Sequence, residues 1–395
     1  MIEKVGKVFH TKKMRKLFFF FLLFLAVFLS WEQVEKRLPW SPIVWTPIFE
    51  DVNKAPLYRE QLIPNANQNS THSVSATVLP SGDLIAFWFG GSREGAKDVR
   101  IFQSYFKQAQ QTWTAPTAIL DVPTLAAAVG RYIGKLGNPL VFIDKQKRIW
   151  LYVVSVSYGG WAGSSLNVMF SDDFGKIWSM PKKLITSPFI NVSTLVRNTM
   201  YAMQDGSMLL PVYHEFAAQF PEMLRVSPEG EVMEKVRMHG NGGGIQPSLL
   251  QGKDREVYAF MRSGSHTKDW KVTRLKSEDQ GQSWFDFTTT ELPNPNSAQI
   301  VAKVDESLWV WIGNHNPKHR QDLTLAVSHN LNKPWQVVYE FEHGKQNEAF
   351  SYPAIVQAKD GIWHLLYTAN RKNIKHVQFN RAWLNQMIAN AGQTP

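Results

Sequence analysis

Cysteine is absent from the 395-residue chain. That excludes a disulfide framework, a cysteine-ligated zinc site and thiol catalysis, and it leaves the compartment open. Charged residues are sparse, at 19%. The metalloprotease HExxH pattern, the Walker loop and the dinucleotide fingerprint are missing, and Gly242-Gly243-Gly244 has no helix signal behind it. No metal and no cofactor are therefore expected. Present instead are 44% hydrophobic and 13% aromatic residues, with 25 Gly and 21 Pro scattered along the chain. Such a composition is too apolar for disorder and suits many short strands joined by turns.

The net charge of +10 is unevenly spread. Lys4, Lys7, Lys12, Lys13, Arg15 and Lys16 face Glu3 alone, so the first thirty residues hold +5 of it. The remainder contains no basic run and no nucleic-acid motif, and no nucleic-acid partner is expected. Behind the basic cluster runs LFFFFLLFLAVFLSW, Leu17–Trp31, followed by Glu32. A basic flank and an apolar core of this length form an export signal. Ser30-Trp31-Glu32-Gln33 is a poor cleavage site, which favours an uncleaved signal-anchor over secretion after trimming. The excess of positive charge then assigns residues 1–16 to the cytoplasm, residues 17–31 to the inner membrane and the rest to the periplasm or exterior. Residues 32–56 read as a linker, 57–380 as the globular domain and 381–395 as a helical tail.

Within the domain one pattern recurs: an apolar run, a polar turn with Asp, and a second apolar run. TVLPSGDLIAFW (Thr77–Trp88), LVFIDKQKRIWLYV (Leu140–Val153) and MYAMQDGSMLLPVY (Met200–Tyr213) are three copies. SLLQGKDREVYAFM (Ser248–Met261), IVAKVDESLWVWI (Ile300–Ile312) and AIVQAKDGIWHLLY (Ala354–Tyr367) are three more. Their turn aspartates, Asp83, Asp144, Asp205, Asp254, Asp305 and Asp360, are spaced 61, 61, 49, 51 and 55 residues apart. Repeats of about fifty residues with hairpin chemistry predict an all-β, six-bladed β-propeller. Ser171–Trp178 and Ser277–Trp284 add Ser-x-Asp-x-Gly-x-x-Trp, the Asp-box, and Ser328–Trp335 is a degenerate copy. Asp173 and Asp279 are accordingly structural.

Propeller topology then assigns the site. Residues before each first strand and after each second strand share the face opposite the Asp turns. The former are His72, Asn138, Arg197 with Asn198, Gln246, Asn296 and Tyr352. The latter are Arg93, Glu94 and Asp98, then Tyr158 and Trp161, Glu215, Arg262, Arg320 and Arg371. Asn138, Gln246 and Tyr352 each precede proline, which favours extended backbone. A funnel of arginines, carboxylates and aromatics suits an acidic sugar, since guanidinium forks grip carboxylates and aromatic faces stack on rings.

Three stretches, Thr71–Val99, Ile245–Trp284 and His319–Ile374, resemble the sialidase (neuraminidase) superfamily in its bacterial BNR-repeat branch. The resemblance implies an exo-glycosidase of sialic-acid-like or other acidic sugars in glycans. It also implies an arginine triad for the substrate carboxylate, a Tyr–Glu nucleophile pair and an Asp acid/base. Arg262 and Arg320 match the second and third arginines; the first falls on His72. The Glu falls near Gln246, the Tyr on Phe350 with Tyr352 two residues on, and the acid/base near Asp98 or Glu94. The expected catalytic set is thus Tyr352, Asp98, Glu94, His72 and Glu215. Substrate binding is expected from Arg262, Arg320, Arg371, Arg93, Gln246 and Asn138. Two other readings are a lyase of rhamnose–glucuronate-like polysaccharide, with His72 and Tyr352 moving protons, and a non-catalytic glycan-binding propeller.

Overall fold

The computed structural model describes residues 12–35, 38–51, 54–187, 191–240, 243–253, 255–264 and 269–393. Most of the basic segment 1–16, the turn residue Asp254 and the end of the tail lie outside them. The chain forms two compact units, Met1–Trp40 and Ser41–Pro395. In the first, Lys12–Glu35 is a helix, uninterrupted by Gly or Pro, with its large apolar side chains from Leu17 to Phe28 exposed. Among the described residues no helix is long and apolar enough to cross a membrane.

In the second unit the described strands build six antiparallel sheets, the blades of a propeller. Blade 1 holds Ser70–Val78, Leu84–Gly91, Arg100–Lys107 and Thr112–Trp113, with Thr117–Asp121 added at its edge. Blade 2 runs from Lys135–Ile143 to Lys182–Lys183, and blade 4 from Ile245–Gln251 to Phe285–Pro293. Blade 5 runs from Ile300–Asp305 to Gln336–His343. The first strand of blade 3 is broken into Leu195–Val196 and Tyr201–Met203. Second strands such as Leu84–Gly91 and Ile149–Val156 are buried along their whole length between neighbouring blades. Burial on both faces explains why the sequence shows them as continuous apolar runs rather than alternating ones.

Polar turns join the first two strands on one face, and the described turn aspartates hold them. Asp144 accepts Arg148 N at 2.9 Å and the Trp150 indole at 2.8 Å; Asp305 accepts Ser307 N at 2.7 Å. The Asp-boxes close third-to-fourth strand turns. Asp173 accepts Lys176 N at 3.0 Å and Ile177 N at 2.8 Å, while the Ser171 hydroxyl receives Gly175 N at 2.9 Å. Gly175, at φ 89°, supplies the left-handed step that this turn requires.

Ring closure joins the two ends of the domain. Tyr58–Leu62 pairs with the strand Asn373–Phe379 of blade 6, whose inner strand is Phe350–Gln357. The linker reading of 32–56 is corrected over its second half. Ile43–Val44 pairs with the inner strand of blade 3, and Phe49 N donates to Gln357 Oε1 at 3.0 Å. Residues 43–49 thus cross the Asp-turn end of the channel, where free inner-strand edges offer backbone partners.

Blades 1 and 6 meet around two histidines. The Trp113 indole donates to His376 Nδ1 at 3.1 Å, which leaves the His376 proton on Nε2 facing His364 Nδ1 at 2.9 Å. Burial lowers His364 to about 3, and burial with the His364 charge lowers His376. The unfolded chain therefore takes up protons below about pH 6.5 that the folded chain refuses. Stability supplied by the neutral pair is full above that pH and falls as pH drops towards 3. Thermal melts of the wild type should lose roughly 1 kcal/mol per pH unit and histidine below pH 6.5, relative to His376→Gln; parallel curves would contradict this.

Candidate active site

Inner strands bend sideways where they meet the face opposite the Asp turns. Register shifts lie between His72 and Ser75, Gly137 and Pro139, Ile245 and Ser248, and Ser351 and Ala354. At these kinks Ser73, Asn138, Gln246 and Tyr352 have φ of 60°, 35°, 56° and 59°, and Asn296, ahead of blade 5, has 52°. Extended entry before proline is thus corrected for Asn138, Gln246 and Tyr352. Each proline follows a bulge residue, where its missing N–H leaves no ladder partner unpaired. A left-handed backbone costs about 1–3 kcal/mol per non-glycine residue and recurs at functional positions. Here it turns one side chain per kink into the channel.

Tyr352 occupies the centre of these side chains. Its hydroxyl lies 3.0 Å from Arg262 NH1 and 3.4 Å from Gln246 Nε2, both donors. Arg197, buried and bonded to the carbonyls of Val74 and Pro353, lies with its guanidinium 5.0 Å from the Tyr352 ring. Burial raises the phenol pKa, but Arg262, Arg320 and the two donors outweigh it and hold the group below its ordinary value. His72 lies against the same ring, 4.1 Å between centroids, with Nδ1 3.0 Å from the Thr368 hydroxyl. Burial, then Arg371, Arg320, Arg197 and Arg262, keep His72 well below the usual imidazole range and therefore neutral.

Two arginines share one anchor. Arg262 Nε donates to Asn296 Oδ1 at 2.7 Å, and Arg320 NH2 donates to the Asn296 carbonyl at 2.5 Å. Arg262 NH1 also reaches Gln246 Oε1 at 3.0 Å. Both guanidiniums thus lie beside Tyr352, with N–H groups that these bonds do not use. Tyr213 lies beneath, receiving Gln246 Nε2 at 3.1 Å and Asn138 Nδ2 at 3.3 Å. Glu215, two residues on, is raised by burial against the opposing pull of Arg262. A carboxyl so raised can hold a proton at higher pH than a free one.

The remaining candidates stand apart. Asp98 is exposed and accepts Ser92 N and the Ser92 hydroxyl, both at 2.9 Å. Burial raises its pKa slightly, and the Ser92 hydrogen bonds bring it below the usual value. Glu94 forms an ion pair with Arg371 across blades 1 and 6. Arg93 is exposed, with no side-chain partner among the described residues. Phe350 is buried in the apolar core of blades 5 and 6. Tyr132 and Tyr158 stack 5.0 Å apart near the exit of blade 2, and Lys135 lies 4.5 Å over Trp161, giving flat surfaces suited to sugar rings. Sequence reading left Tyr213 out of the site and gave Asn296 no role. The signal for Tyr213 was its two-residue spacing from Glu215 at the end of a second strand. Among the described residues no group of three His, Asp or Glu side chains is arranged to hold a metal ion.

The family model described as a BNR repeat-like domain matches residues 82–365. No curated protein matches the chain. Among solved structures, a Hadza microbial sialidase is similar at TM-score 0.64 and 17% identity, over 79% of this chain and 66% of that one. A Dyadobacter fermentans protein of unknown function is similar at TM-score 0.66 and 13% identity, over 82% of this chain and 99% of that one. The intramolecular trans-sialidase from Ruminococcus gnavus, solved with oseltamivir carboxylate, gives 0.62 and 15%, over 82% and 97%. At such identities the likeness establishes the fold.

If the arginines govern Tyr352, spectrophotometric titration should resolve a phenol ionising below 10 that Tyr352→Phe removes. Asn296→Ala, which removes the Oδ1 partner of Arg262 and leaves the carbonyl bonded to Arg320 in place, should move that titration upward while circular dichroism stays unchanged. An unmoved titration would separate the arginines from the phenol.

Proposed function

The chain belongs to the BNR repeat-like domain family, and on that premise we propose that it is a sialidase-like enzyme cleaving acidic sugars from glycans. The observation that carries the reading is the paired clamp of Arg262 and Arg320 beside a phenol held below its ordinary pKa. A substrate carboxylate takes the open N–H groups of the two arginines, each charge-assisted bond contributing about 1.5–3 kcal/mol. Tyr352, as phenolate, attacks the anomeric carbon, avoiding the repulsion that a carboxylate nucleophile would meet from an acidic substrate. Glu215, whose pKa burial raises, gives its proton to the departing oxygen and later takes one from water. Asn138 and Gln246 orient the phenols, and Arg371, paired with Glu94, borders the entrance on the side of His72.

A second reading is favoured by one specific observation: Tyr352 is flanked by the Gln246 amide and neutral His72. On a uronate, neutral His72 would take the proton α to the clamped carboxylate. The electron pair would form the C4=C5 double bond, the C4–O bond would break, and the Tyr352 phenol would protonate the leaving oxygen.

Incubation with a sialoside and with a glucuronate-containing glycan separates the readings. Hydrolysis yields a free acidic sugar with no ultraviolet gain, whereas elimination yields the absorbance of an unsaturated uronate. Arg262→Ala and Arg320→Ala should each weaken acidic-sugar binding about 10- to 100-fold, with far-ultraviolet circular dichroism showing the propeller still folded. His72→Ala should lower an elimination rate by about 10²–10⁴. Binding without either product would leave a glycan-binding propeller and defeat the enzyme reading.

We further propose that residues 17–31 anchor the protein in the cell envelope with the propeller outside the cytoplasm. The exposed apolar side chains of Leu17–Phe28 and the preceding basic cluster support this. Protease added to spheroplasts should remove the propeller and spare the amino terminus. A protein freed without protease, lacking residues 1–31, would mean a cleaved signal.

A further inference from the structure

The other end of the channel contains a second cavity. It measures about 600 Å³ and is bounded by the inner strands of the blades, with the segment Trp45–Phe49 across it. The site described above lies at the opposite end of those strands, and nothing in the proposed reaction uses this cavity. Its walls are apolar, with Trp45, Phe142, Leu250 and Val356 among the lining side chains. Such walls give water few hydrogen-bond partners, and a volume of this size matches sites for small apolar ligands.

Three lysines stand among the lining residues: Lys147, Lys303 and Lys359. Lys303 is held by Glu306 at 2.8 Å. Lys147 and Lys359 are exposed and have no ion-pair partner among the described residues. An apolar chamber with two uncompensated cations is complementary to a long apolar tail that ends in an anion. We propose that this cavity binds a single-chain anionic amphiphile, with the acyl tail among the inner-strand side chains and the head at the rim that carries Lys147 and Lys359.

Titration calorimetry of the full chain with octanoate, decanoate and laurate, each below its micelle concentration, tests the assignment. Saturable binding of one laurate per chain is expected, with affinity rising about two- to fourfold per added methylene. Lys147→Glu with Lys359→Glu, both at exposed positions, should weaken laurate at least tenfold and leave an acidic sugar's affinity at Arg262 and Arg320 unchanged. Dodecyltrimethylammonium should bind more weakly than laurate to the wild type and regain affinity in the double variant. Ala302→Phe, which narrows the chamber, should lower laurate stoichiometry, and thermal melts report whether it still folds. Absent or non-saturable binding, or affinity independent of chain length and head charge, would overturn the proposal. Because sugar binding is read separately, failure here leaves the enzyme reading standing.

Discussion

A left-handed kink repeated around the channel is the constraint on which the site depends. A straight inner strand would point alternate side chains at the two neighbouring blades and present only its backbone edge to the channel. By placing Asn138, Gln246 and Tyr352 at positive φ, the chain breaks that alternation at the mouth and turns polar groups inward. Ser73 does the same for its neighbour His72, and Asn296 for the gap between blades 4 and 5. The strain is tolerable because buried second strands pair along the inner strands, and the described turn aspartates hold the ends away from the mouth. Rigid blades supply the stability that the mouth gives up.

Electrostatics at the mouth follows from that geometry. Arg197, Arg262 and Arg320 converge on one phenol, and the neighbouring carboxylate, Glu215, is itself raised by burial rather than serving as a strong counter-charge. Burial first, and the excess of positive charge second, keep His72 neutral, and the same excess lowers Tyr352 against the effect of its burial. The cations proposed to bind substrate therefore also tune the phenol beside them. Further out, Glu94 neutralises Arg371, and Ser92 restrains Asp98, so the rim is balanced while the centre is not.

Much of this was legible in the sequence, for identifiable reasons. The turn aspartates and Asp-boxes depend on local side-chain-to-backbone bonds, which short motifs record faithfully. Fully buried second strands announce themselves as apolar runs. The direction of the strands then sufficed to assign His72, Gln246, Arg262 and Tyr352 to one face. Long-range pairing was less visible. Ile43–Val44 adds to blade 3 through backbone bonds to residues 160 positions away, and nothing in its proline-flanked segment advertises that. The left-handed kinks escaped as well, because a following proline disfavours helix without specifying what replaces it. Asn296 acts through its carbonyl and its amide on two different arginines, a role that exists only once blades 4 and 5 are side by side.

Arg262 and Arg320 are together proposed to receive a sugar carboxylate next to Tyr352. A crystal structure of the protein soaked with an acidic monosaccharide decides the matter. The carboxylate is expected within about 3 Å of both guanidiniums, with the sugar ring over the Tyr352 hydroxyl and His72 within reach. A sugar bound elsewhere on the rim, or with its carboxylate turned to Arg371 alone, would contradict it.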